Sequence, residues 1–336
     1  MPATRTMTPA APIRIGISAC LLGRKVRYDG GHKRDDFLVD TFGAHVQWVP
    51  FCPEVELGLG TPRDPIRLVR VAVAEEARRG EPRGGEVRMV VPKTGRDLTE
   101  KMRAFARRRA ARMRTEHLCG FVLKKDSPSC GMERVKVYGP HGAPERSGVG
   151  FFAQALLERF PNLPVEEEGR LCDPRLRENF VERVFAYRAL RTLFDSPWKP
   201  AGLVKFHTAH KLTLLAHSPT AYAALGRLVA RAREIPRARL QAEYETAFMQ
   251  ALRKIATPRQ HTNVLRHMAG YFKKSLDPAQ RSELAQLIED YRRGLVPLVV
   301  PLTLIRHHVH GLSVDYLAGQ TYLEPHPREL MLRNHV

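Results

Sequence analysis

The chain has 336 residues, with 55 Lys and Arg against 35 Asp and Glu and a formal net charge of +20; that length admits two domains, each able to bury its own core. No apolar run approaches the ~20 residues that span a bilayer, and the first dozen residues lack a signal-peptide core, so the expectation is a soluble cytoplasmic protein with residues 1–12 as a disordered leader. The excess of positive charge points to a polyanion, with nucleic acid the default partner and a generally Arg-rich proteome the bland alternative.

In chain order, Ile13 to Ser18 reads as a short apolar strand that runs into the small-residue loop Ser18-Ala19-Cys20-Leu21-Leu22-Gly23. Tyr28-Asp29-Gly30-Gly31 is a turn, and Asp36 to Phe42 a candidate helix. His45 to Val49 is a second strand. It enters Pro50-Phe51-Cys52-Pro53-Glu54, where a proline on each side stiffens the backbone that presents Cys52. Ile66 to Val73 and Val87 to Val91 form a strand pair around the polar turn Arg78 to Gly85. From Asp97 to His117 the period becomes helical, with Met102, Phe105 and Met113 on one side and arginines largely elsewhere; those arginines are either a solvated face or a phosphate-binding stripe. Phe121 to Leu123 is a strand that leads into Lys124-Lys125-Asp126-Ser127-Pro128-Ser129-Cys130, Val135 to Tyr138 another, and Gly150 to Phe160 a helix. Strands alternating with helices, each of three cysteines at a strand's exit, predict an α/β domain over residues 13–170, with a mostly parallel sheet and flanking helices.

Behind it, residues 171–336 read as all-α. The predicted helices are Asp173–Phe194, Leu203–His217, Ser218–Arg233, Arg237–Ala256, Thr257–Lys274 and Pro278–Arg293, two of them opened by a hydroxyl N-cap followed by proline. Leu295 to Ile305 is apolar and proline-interrupted, which suits packed core or a short interface better than a membrane span. This half holds 25 basic and 14 acidic side chains, net +11, and leaves +9 for residues 1–170. Both halves would therefore face a polyanion.

Five cysteines at unrelated spacings argue against a disulfide framework and for thiols acting as ligands or nucleophiles in a reducing compartment. A Cys3His zinc site using His32 or His117 has no close cysteine pair behind it. A nucleophile would need one such loop and a His partner. Three loops with one cysteine each suit an iron-sulfur cluster that leaves one iron open for Lewis-acid work. Spacing alone leaves these alternatives open.

The segments Ser18 to Gly23, Val26-Arg27-Tyr28-Asp29-Gly30, Cys52-Pro53-Glu54-Val55-Glu56-Leu57-Gly58, Pro62-Arg63 and Lys124 to Gly131 closely resemble, in order, the thiouracil desulfurase (TudS) family over residues 13 to 165. The helical remainder resembles the YbgA-like domain fused behind it, through Lys205-Phe206-His207-Thr208-Ala209-His210-Lys211 and Leu295 to Arg306. The combination is similar to tRNA 4-thiouridine desulfidases of the RudS type. The resemblance implies a [4Fe-4S] cluster held by Cys20, Cys52 and Cys130, with Glu54 and Ser127 catalytic. Asp29, Lys124 and Asp126 are candidate substrate contacts. The implied reaction is non-redox: water replaces the sulfur of 4-thiouridine in tRNA, and hydrogensulfide leaves.

Plainer readings stand beside these. Glu54 suits a loop carboxylate paired with Arg63, Ser127 an N-cap or turn residue, Asp29 and Asp126 turn formers, and Lys124 a neutraliser of cluster charge. Cys119 and Cys172 read as buried apolar residues. His207 and His210 read as packed or RNA-facing side chains. Desulfuration of free thiouracil or thiouridine is the alternative activity; an iron-sulfur RNA binder or redox sensor is the non-enzymatic one.

Overall fold

The computed structural model describes residues 12–71, 85–139 and 143–336. Most of the expected leader and of the turn at 78–85 lie outside the described residues. The chain divides into two compact units, Met1–Pro161 with Val165–Gly169, and Asn162–Pro164 with Arg170–Val336.

In the first unit, β1 (Arg14–Ser18), β2 (Gln47–Phe51), β6 (Gly120–Leu123) and β9 (Val165–Glu167) form an all-parallel sheet in the order β2-β1-β6-β9. Ile15, Ile17, Phe121 and Val122 are fully buried, as expected of parallel strands covered on both faces. Gly16 is required here: a Cβ on it would stand 2.2 Å from the Phe121 ring. The order turns one way from β1 to β2 and the other way from β1 to β6. The carboxyl ends beside β1 therefore border a switch point, where open α/β sheets bind ligands.

The remaining strands form a separate sheet, β5-β4-β3-β7-β8, from β3 (Arg67–Val71), β4 (Glu86–Val91), β5 (Arg96–Asp97), β7 (Val135–Tyr138) and β8 (Glu145–Gly148). Only β3 and β7 run parallel within it. The α/β class holds; the sequence reading had not separated this second sheet from the first. Leu68, Met89, Val135 and Val137 pack its inner face against Met102 of helix α2 (Thr99–Met113) and Phe151 of α3 (Phe151–Arg159). The predicted helix at Asp36–Phe42 is a pair of short irregular turns, Phe37–Thr41 and Phe42–His45.

The second unit is helical among the described residues: α4 (Pro174–Phe194), α5 (Pro200–Ala209), α6 (Lys211–His217), α7 (Pro219–Ala230), α8 (Arg237–Leu252), α9 (Pro258–Tyr271), α10 (Pro278–Arg292), α11 (Val299–Gly311) and α12 (Asp315–Ala318). Thr257 and Asp277 close capping boxes with Gln260 and Gln280 at the starts of α9 and α10, which satisfies donors that every helix start exposes. Pro301 falls in the first turn of α11, where its missing N–H costs nothing. Leu212, Leu265, Phe272, Leu298, Ile305 and Tyr322 fill the core. No described helix is long and apolar enough to cross a membrane.

A candidate cysteine-lined active site

Cys20 follows β1, Cys52 follows β2 and Cys130 ends the loop after β6. Parallel strands send their carboxyl ends to one edge of the sheet, so the three thiols converge although 32 and 78 residues separate them in sequence. All three line one cavity of about 490 Å³ in the first unit. Cys20 and Cys130 are buried and Cys52 is half-buried. Cys119 is also buried but precedes β6, at the opposite edge of the sheet. Cys172, expected in a core, is exposed and belongs to the second unit.

Helix α3 sets the Cys130 turn. Its first backbone N–H groups bond the turn's carbonyls: Gly150 N–H donates to Gly131 O at 2.8 Å, Phe151 to Pro128 O at 3.3 Å and Phe152 to Ser129 O at 3.0 Å. Within the turn, Ser127 Oγ accepts the Cys130 N–H at 3.1 Å and the Ser129 N–H at 3.3 Å. Cys52 caps the one-turn helix α1 (Pro53–Glu56), with Pro53 as its first residue.

Burial pushes the Cys20 thiol up to about 11, against the pull of the Lys124 ammonium. Burial also raises Cys52, although N–H groups at the start of α1 favour its thiolate. Cys130 is raised by burial and by the charges of Glu54, Cys52 and Cys20, which a hydrogen bond with Ser18 partly offsets. Such thiols keep their protons until a cation replaces them. No group of three or more His, Cys, Asp or Glu among the described residues is placed to hold a metal ion. The three thiols stand around a volume instead of a point. Three soft donors, with no fourth at the cavity among the described residues, suit a metal-sulfur body with one open position better than a four-ligand zinc ion.

Beside the thiols, both oxygens of Glu54 are engaged. Arg63 Nε donates to Oε2 at 2.8 Å and its Nη2 closes the fork, while Ser129 Oγ donates to Oε1 at 2.6 Å. Ser127 Oγ lies 3.0 Å from Ser129 Oγ. Since Ser129 gives its proton to Glu54, its oxygen accepts from Ser127, and the hydroxyls form one line, Ser127–Ser129–Glu54. The foreseen Glu54–Arg63 pair and the foreseen turn role of Ser127 are both present. Ser129 was missed; its signal was its place two residues from Ser127 in the same Ser-Pro-Ser-Cys turn.

The other candidates separate. Lys124 lines the cavity, and its ammonium pairs with Glu168 just past the carboxyl end of β9. Asp126 lines the cavity in the left-handed backbone region (φ 59°) and bonds Arg146 at 2.9 Å. Asp29 accepts from Gly31 N–H at 2.9 Å and from Arg27 at 3.4 Å, bonds that lower its pKa; it is a turn former beside the cavity. His207 and His210 are buried in the second unit, His207 against the Tyr244 hydroxyl at 3.1 Å.

Residues 15–168 match the family model described as 2-thiouracil desulfurase, and residues 211–327 match one described as a protein of unknown function (DUF1722). The uncharacterized protein YbgA of Escherichia coli (strain K12) is 37% identical over 164 residues, which cover 48% of this chain and 95% of YbgA. The uncharacterized protein YbbK of Bacillus subtilis (strain 168) is 31% identical over 118 residues, 34% of this chain and 71% of YbbK. Among solved structures, a [4Fe-4S]-dependent thiouracil desulfidase, TudS, is 33% identical; the match covers 49% of this chain and 96% of TudS, with a TM-score of 0.38.

Proposed function

We propose that this chain, which belongs to the 2-thiouracil desulfurase family through residues 15–168 and carries a YbgA-like region behind it, hydrolyses the thiocarbonyl of 4-thiouridine in tRNA to give uridine and hydrogensulfide. The observation that carries the reading is the meeting of Cys20, Cys52, Cys130 and the Glu54 carboxylate at one cavity. The three thiols would hold a [4Fe-4S] cluster. When bound, it supplies a soft Lewis acid that suits a thiocarbonyl sulfur.

The chain's own groups do the rest. Arg63 and Ser129 fix the Glu54 carboxylate at the wall of the cavity, with its side chain 13% exposed. From there Glu54 takes the proton of the water that attacks the carbon bearing sulfur. The line of hydroxyls from Ser127 through Ser129 donates toward the carboxylate and holds its Oε1 in place for that step. Carbon gains an oxygen and loses a sulfur, and the second proton of the water leaves with the sulfide, so no external electron donor is required. Lys124, neutralised by Glu168 at the strand edge, fixes the floor on the other side.

The positive charge of both halves supports a polyanionic substrate, whose target base has to leave its stack to reach the cavity. Free thiouracil is the second reading, favoured by the substrate in the family's description and by a cavity that is not too small for a lone base. The test is anaerobically reconstituted protein given thiolated tRNA and free 4-thiouracil in parallel, with loss of the thiocarbonyl absorbance as readout. We expect a higher kcat/KM on tRNA that falls steeply with salt. Efficient turnover of the free base alone assigns salvage, and turnover of neither rejects the desulfidase reading.

A further inference from the structure

Three glutamates in a row are ordinarily a solvated stretch, because a buried carboxylate is costly unless donors meet it. In this chain Glu166, Glu167 and Glu168 are all buried. They lie at the end of β9, whose register sets Glu167 opposite Leu123, the last residue of β6. The loop that carries Cys130 departs from that point.

Two of the three carboxylates bond that loop, one at each end. At its start, Lys125 N–H donates to Glu168 Oε2 at 2.8 Å, and the Lys124 ammonium closes on Oε1. At its end, Glu167 Oε1 accepts the Met132 N–H at 2.6 Å and the Glu133 N–H at 3.4 Å. Residues adjacent in sequence thus grip the loop on both sides of Cys130, while α3 bonds the carbonyls of Pro128, Ser129 and Gly131 between them. Hydrogen bonds to a charged acceptor are about twice as strong as neutral ones. A short loop fastened at both ends by such bonds keeps little conformational freedom.

We propose that Glu167 and Glu168 are positioning residues that clamp the two ends of the cysteine loop and so hold Cys130 at the cavity before any metal reaches it. Cys130, the thiol farthest along the chain from the other two, is then presented as a preformed ligand and need not be gathered by the metal. What the preformed turn serves rests on the desulfidase reading; the clamp itself belongs to the metal-free fold.

The test follows alkylation of the metal-free full chain by N-ethylmaleimide, resolved cysteine by cysteine by peptide mass spectrometry. Cys130 is read against Cys119, which is also buried but precedes β6 at the opposite edge of the sheet. A general loosening raises both rates and cancels in their ratio; local opening of the loop raises only the first. Glu167→Ala should raise the ratio of Cys130 to Cys119 roughly tenfold or more, and Glu168→Ala should act in the same sense. Glu167→Gln, whose amide oxygen still accepts both N–H groups, should stay within about threefold of the wild type. An unchanged ratio in either alanine variant, or a rise in Glu167→Gln as large as in Glu167→Ala, overturns the clamp. If an alanine variant does not fold by far-UV circular dichroism, aspartate at that position, which keeps the charge and withdraws it by one methylene, decides by the same ratio: a rise supports the clamp and an unchanged ratio overturns it. After reconstitution, a ferrous chelator should strip iron from Glu167→Ala roughly tenfold faster than from the wild type or Glu167→Gln; equal rates overturn the positioning role. No thiolated substrate enters either measurement, so rejection of the desulfidase reading is a separate outcome, and the alkylation ratio decides the clamp even in a chain that binds no iron.

Discussion

Glu54 shows how a pairing partner and a catalytic role coexist. Its fork with Arg63 was legible from the sequence as a competing explanation, yet the structure gives each carboxylate oxygen a donor and still leaves the group on the cavity wall. A carboxylate oxygen accepts more than one hydrogen bond, so two donors fix the base without using it up. Ser129 was illegible as a partner because only folding brings residues 54 and 129 to 2.6 Å. Removing its hydroxyl takes one charge-assisted hydrogen bond from Glu54. Ser129→Ala should therefore lower kcat by roughly ten- to a hundredfold with little change in KM, and Ser129→Thr should recover part of the loss. Ser129→Ala at wild-type kcat would mean that Glu54 needs no support from the turn.

Among elements, the strands that carry the cysteines were readable because each is a short apolar run with a clear exit. Their meeting at one edge follows from the parallel order. The second sheet was not readable. Its pairings join β3 to β7 across almost seventy residues, and no local pattern records such a register. The break inside the predicted helix Leu203–His217 has the same origin. His210 turns its Nδ1 to the Phe206 carbonyl at 2.9 Å, Thr321 N–H takes the Ala209 carbonyl at 2.9 Å, and Gln320 bonds both the Thr208 carbonyl and the Leu212 N–H. A segment a hundred residues away thus supplies the bonds that end α5 and start α6. A close approach makes an element-level prediction for the site: a Cβ on Gly150 would stand 2.5 Å from the Ser129 backbone carbon and 2.8 Å from Cys130 N. Gly150→Ala should push the cysteine turn off the start of α3 and lower the iron bound per chain after reconstitution, while the far-UV circular dichroism stays close to wild type. Unchanged iron loading would show that the turn does not depend on that approach.

At the scale of the whole molecule, charge was the most legible property and buried polarity the least. His210 reads from sequence as packed or RNA-facing and nothing in the sequence singles out His261, but burial pushes each down to about 4. The unfolded chain binds a proton at each near the ordinary value of 6.5, which the folded chain refuses until about 4. Stability therefore falls as pH drops through that window. His217, raised by Glu182 against the effect of burial, acts the other way; its contribution is complete below 6.5 and is lost only as pH rises through its elevated value. Trp198 reports the helical unit and Trp48 the other, so a Trp48→Phe background isolates the signal. The thermal midpoint followed through Trp198 should decline from pH 6.5 to pH 4, and a flat or rising midpoint would remove the buried neutral histidines from the account. The central claim, that three thiols and Glu54 form a hydrolytic desulfuration site, is tested most directly by single-turnover loss of thiocarbonyl absorbance from thiolated tRNA, with wild type and Glu54→Ala reconstituted side by side to equal iron content. The wild type should release one sulfide per base, with Glu54→Ala slower by a factor on the order of a hundred or more; equal rates at equal iron would contradict the assignment of Glu54 as the base.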